Sequence, residues 1–133
     1  MPVAFKYTVP GFSKDEGRCS VEVWAMKTDT PGVLLTESDA NPGMYRLTHE
    51  SSGMAITSRR CSATRDVFGL LRFAKDIAAC GDWTRSAFAI SNDAALPAKI
   101  HRAFDGSALD WIPANPSTEH AAASRAAIMS GNN

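Results

Sequence analysis

A chain of 133 residues with 44% apolar and 21% charged side chains is long enough to bury the core of one domain without a metal or disulfide to hold it. Its 14 basic and 14 acidic residues cancel, so no overall field draws it to a polyanion, which argues against general nucleic-acid binding but not against a local basic patch. Three cysteines, none at C-x-x-C spacing, no signal-peptide pattern at the start and no apolar run near the ~18 residues of a membrane span predict a reduced, cytoplasmic chain that does not enter a membrane.

The first half reads as strands. Val3 to Val9 alternates in polarity and is expected to stop at Pro10-Gly11. Cys19 to Met26 alternates more clearly, with Val21, Val23 and Ala25 on one face and Glu22, Trp24 and Met26 on the other. Gly32 to Glu37 follows a Pro-Gly turn, and Ser38 to Gly43 is a loop. In "YRLTHESSGMAITS" (Tyr45 to Ser58) two alternating runs flank Ser51-Ser52-Gly53, as expected of a hairpin whose glycine accepts positive φ.

The period changes after Cys61. Val67, Leu70, Leu71, Ala74, Ile77 and Ala78 recur at helical spacing and predict one amphipathic helix over about residues 65–80. Thr64 is the expected N-cap, Asp66 complements the helix dipole in the first turn, and Gly81 stands where a C′ residue belongs. A second helix over about 83–90 is expected to be capped by Asp82, and Pro97 opens a third over about 97–105 that Gly106 ends. Trp83 and Trp111 are expected to close the ends of the core, with Ile112 anchoring beside Trp111. Residues 113–133, rich in Pro and Ala, read as a partly disordered tail to a single domain over 1–112. Strands first and helices second predict an α+β fold: an antiparallel sheet of four to five strands over about residues 3–58, with two or three helices on one face.

Candidate chemistry is sparse. A catalytic histidine needs a nucleophile in hydrogen-bond reach and an orienting acid. Ser51 shares a side with His49 only if the strand runs on that far, so His49 reads as a strand-end residue, half-buried and bonded to its turn. Cys61 follows Arg59-Arg60, and adjacent cations lower a thiol pKa, which makes it the cysteine to test as a nucleophile; Cys80 reads as core. His49, His101 and His120 are too dispersed for local metal-ligand spacing, and no phosphate-binding glycine loop occurs, so no metal or cofactor is expected.

Charge is uneven. Residues 1–58 carry five basic and seven acidic groups, and residues 59–133 carry nine and seven. The excess gathers at Arg59, Arg60, Arg65, Arg72 and Lys75, either a solvated helix face interleaved with Asp66 and Asp76 or a small phosphate-contacting patch. Trp24, on the face of its strand that carries Glu22, is a candidate anchor for a partner or a stacked base.

The succession Tyr45-x-Leu47-Thr48-His49, Ser52-Gly53-Met54-Ala55-Ile56 and an amphipathic helix reaching Asp82-Trp83 resembles small accessory proteins of phages and plasmids, in which a T-H-x-x-S/T-G hairpin precedes one helix. The resemblance spans residues 45–83 and brings no catalytic residue with it. It implies a mobile-element protein that binds, and modulates or inhibits, a host protein complex. Size, charge and the lack of catalytic patterns point the same way, to a non-enzymatic interaction protein with a protein partner. A nucleic-acid-binding module using the basic residues around 59–75, and a small enzyme using His49 or Cys61, are the alternatives.

Overall fold

The computed structural model describes residues 4–13, 17–38, 43–58 and 62–112. The α+β expectation holds: five strands run β1 (Phe5–Ser13), β2 (Gly17–Lys27), β3 (Val33–Glu37), β4 (Tyr45–His49) and β5 (Ala55–Ile56), followed by α1 (Val67–Ala78), α2 (Ala87–Ser91) and α3 (Leu96–Asp105). The strands form one antiparallel meander in chain order. The tail expected over 113–133 lies outside the described residues, as do Arg59, Arg60 and Cys61.

Two strand boundaries differ from expectation for one reason. β1 runs through Pro10-Gly11 to Ser13, and β2 begins at Gly17, so the hairpin is longer than the alternation suggests. β1 is an edge strand, where a proline can stand without leaving a neighbouring strand short of a donor.

The register sorts the two sheet faces. Val33, Leu35, Leu47 and Ile56 lie on the helical side, in a core completed by Leu70, Phe73, Ala74 and Ile77 of α1, then Cys80, Trp83, Leu96 and Phe104. On the opposite face, Val9, Val23 and Ala25 from the long hairpin and Leu34, Thr36 and Thr48 from β3 and β4 are all buried. The sheet is therefore curled. The Tyr7 hydroxyl donates to the carbonyl of Glu50, beyond the end of β4. Three strand spacings in a flat sheet, about 14 Å, exceed the reach of one tyrosine, so the β1–β2 hairpin folds across the back of the sheet. Burial, then the nearby Glu50 carboxylate, raises the Tyr7 pKa above the usual tyrosine value. Thr36 and Thr48 satisfy each other within this layer, with hydroxyls 2.7 Å apart.

α1 is capped by Asp66, not Thr64. The Asp66 carboxylate accepts the Gly69 N–H at 2.8 Å, and the Thr64 hydroxyl accepts the Asp66 N–H at 3.2 Å. The helix ends at Ala78 with Ala79 as C-cap, so Gly81 is not its C′ residue. What Gly81 provides is space: a Cβ there would stand 2.9 Å from the Arg85 guanidinium. The buried stripe centres on Leu70, Phe73, Ala74 and Ile77, while Ala78 is exposed. Cys80 is buried as expected, and burial pushes its thiol pKa up against the opposing pull of Lys99 and Arg102.

The second helix is shorter and later than predicted. Asp82 does not cap it; its carboxylate accepts both the N–H and the hydroxyl of Thr84, at 2.9 and 2.6 Å, closing a turn. Those bonds, the hydroxyl's first, hold the Asp82 carboxyl below the usual range. Ser86 caps α2 instead, accepting the Ala89 N–H at 3.2 Å. α3 begins one residue before Pro97 and ends at Gly106, close to expectation. Trp111 closes the core edge as predicted, with ring centroids 5.3 Å from Phe73 and 4.6 Å from Phe104. Ile112 anchors by backbone pairing with Ala63.

Candidate docking surface

His49 is more buried than a strand-end residue need be, at 2% exposure. Its Nε2 lies 2.9 Å from the Arg85 carbonyl, which can only accept, so this nitrogen carries the proton. Nδ1 lies 2.8 Å from the Ser52 hydroxyl and in the neutral ring accepts from it. The partner is Ser52 and not Ser51, because the strand ends at His49 and the turn brings the third residue back beneath the ring. Ser52 also receives the Met54 N–H at 3.1 Å.

This network ties the β4–β5 turn to the segment before α2. Arg85 adds to it, donating from Nε to the Asp82 carbonyl at 2.7 Å and pairing with Asp93 at 3.1 Å. That hydrogen bond is the main reason the Asp93 carboxyl sits below its usual range. The Trp83 indole donates to the Ile77 carbonyl at 2.7 Å, and the Thr30 hydroxyl donates to the Ala74 carbonyl at 2.5 Å, fixing the sheet's end to α1. Both ring nitrogens of His49 are thus used in holding loops together, and its ring is tilted 58° to that of Trp83 with centroids 6.2 Å apart. His49→Phe is expected to cost about 2 kcal/mol, since it leaves the part-buried Arg85 carbonyl without its donor. Urea unfolding of that variant measures it, and a cost below about 0.5 kcal/mol would mean the node contributes little.

A second imidazole–hydroxyl pair was not foreseen. The buried Ser58 hydroxyl meets Nδ1 of His101, joining the strand side to α3 across 43 positions. Nothing local in the sequence announces it.

The partner-contact candidates divide. Trp24 is exposed at 49%, as its strand parity predicts, with the Lys6 ammonium 4.1 Å from the ring centroid. It borders a shallow apolar depression shared with Ala4, Met26, Leu35 and Tyr45. Arg65, Arg72 and Lys75 are exposed at the start and along the outer side of α1. Lys75 pairs with Asp29 at 3.3 Å, both side chains mostly in solvent, so the pair adds little to stability. Arg59 and Arg60 lie outside the described residues, so the five cations are seen together only in part.

Between them stands a residue to which sequence reasoning gave no role. Phe68 is 77% exposed, one turn before Arg72 and on its side of α1. Its signal was only partial: Phe68 and Phe73 both fall off the stripe of Val67, Leu70, Leu71, Ala74 and Ile77, and the structure buries Phe73 while leaving Phe68 in solvent. Phe88 on α2 is equally exposed, and Met54 at the hairpin is half exposed. Arg65, Phe68 and Arg72 together have the composition of a recognition patch, an aromatic flanked by guanidinium groups.

Among the described residues no three His, Cys, Asp or Glu side chains converge as metal ligands, and no helix is long and apolar enough to cross a membrane. No protein-family model matches the chain, and no curated protein or solved structure matches it either.

Proposed function

We propose that this is a non-enzymatic interaction protein that docks the outer face of α1 on a protein partner. The observation that carries the reading is Phe68, 77% exposed between Arg65 and Arg72. Aromatic and arginine side chains supply most of the energy at protein interfaces, and covering a phenylalanine is worth roughly 2 kcal/mol. The burial of His49 and the use of both its ring nitrogens in loop contacts support a scaffold role over a catalytic one. The resemblance over residues 45–83 suggests the setting: an accessory protein of a mobile element that modulates or inhibits a host complex.

The test is a photo-reactive side chain placed at position 68 of the full chain, followed by reconstitution of the captured complex from purified components. Phe68→Ala is expected to weaken the reconstituted complex at least about tenfold while leaving unfolding stability within roughly 0.5 kcal/mol. Reconstituted binding that survives Phe68→Ala unchanged would rule out this surface. Binding to nucleic acid with a steep loss as salt rises would favour the basic-patch alternative.

A further inference from the structure

We infer that the partner of α1 is an acidic protein segment, one that sets carboxylates against Arg65 and Arg72 around an apolar residue on Phe68; the inference rests on the docking face proposed above. Charge complementarity carries it. Arg65 and Arg72 are exposed and form no ion pair among the described residues, whereas Lys75 is already matched by Asp29. Arg72, one turn after Phe68, and Arg65, just ahead of the helix, offer forked donors that suit carboxylates, and Phe68 offers the apolar contact.

The same surface disfavours a nucleic-acid strand. Asp29, Asp66 and Asp76 are all exposed beside these cations. A polyanion with evenly spaced phosphates meets each of those carboxylates as it passes, and tight phosphate binding needs many contacts at once. A peptide chooses where its charges stand, so it can place glutamates on the arginines and small or apolar residues over the aspartates.

The test follows backbone amide shifts of the full isotope-labelled chain during titration with a short helical peptide carrying glutamates around a leucine. The same peptide with every glutamate replaced by glutamine, and an oligothymidylate, are titrated in parallel. The acidic peptide is expected to move amides of α1 around Phe68 and to bind about tenfold more tightly than the glutamine peptide, with Arg72→Glu removing that difference. A dispersed amide spectrum shows that Arg72→Glu still folds. Equal binding of both peptides at Phe68 would overturn the acidic preference and leave the docking face standing. If neither peptide moves α1, the acidic partner is refuted, while crosslinking from position 68 judges the docking face separately. Tighter binding of oligothymidylate at the same amides would overturn the inference in favour of nucleic acid.

Discussion

Gly32→Ala is expected to destabilise the protein by about 3 kcal/mol or more, among the largest effects any single methyl group can have here. Gly32 has φ +86°, where an L side chain is already strained. The larger cost is steric. A Cβ at this position would lie 2.2 Å from the Trp83 carbonyl oxygen, 2.4 Å from its carbon and 2.8 Å from the Thr84 nitrogen. All three are backbone atoms, and their segment is held by the Trp83 indole on Ile77, the Asp82–Thr84 turn and the Arg85 carbonyl on His49. Gly32 cannot retreat either, because its own carbonyl receives the Glu50 N–H at 2.9 Å. Gly43 supplies the control. Its φ is +81°, yet nothing lies within 4 Å of its added Cβ, so Gly43→Ala should show the conformational cost alone, about 1 kcal/mol. Urea unfolding of both variants separates the two terms. Equal costs would mean that the 83–84 segment moves aside and that the His49 node is soft.

That node also marks where sequence reading stops. The alternation in Cys19–Met26 and Tyr45–His49 and the helical stripe of α1 are local patterns, set by which face of each element is buried, and they were legible. The passage of β1 through Pro10 was not, because a proline is tolerated or not according to whether its strand is at an edge, a property of the whole sheet. The Asp82 cap failed because a short acidic side chain can close a turn on the next residues as readily as it can start a helix. The curl of the hairpin depends on Tyr7 meeting Glu50, and the joining of α3 to the strands depends on Ser58 meeting His101; each pair is 43 positions apart. Of the candidate docking face, the cations were visible as a cluster. Phe68 and Phe73 were both misfits to the stripe, and telling them apart needed the observation that one is 77% exposed and the other 1%.

Phe73→Ala is the second large effect expected, about 3–5 kcal/mol, and its contrast with Phe68→Ala tests the assignment of the two faces of α1. Phe73 is 1% exposed and meets Phe104 edge-on at 4.8 Å and Trp111 at 5.3 Å. Removing it opens a cavity and deletes two aromatic contacts, each worth roughly 0.5–1.5 kcal/mol beyond area burial. The three rings belong to α1, α3 and the segment after it, so the cavity loosens the attachment of residues 107–112. Trp111 reports on that directly. Its indole donates to the Ser107 hydroxyl at 2.8 Å, and its near-ultraviolet circular dichroism should diminish in Phe73→Ala before unfolding begins. Phe73→Leu, which keeps most of the volume, should recover more than half of the loss, about 2 kcal/mol. Phe68→Ala, five residues earlier on the same helix, should move neither the dichroism nor the unfolding midpoint. If Phe68→Ala proved the more destabilising of the two, α1 would be turned the other way, and the surface proposed for a partner would instead be core.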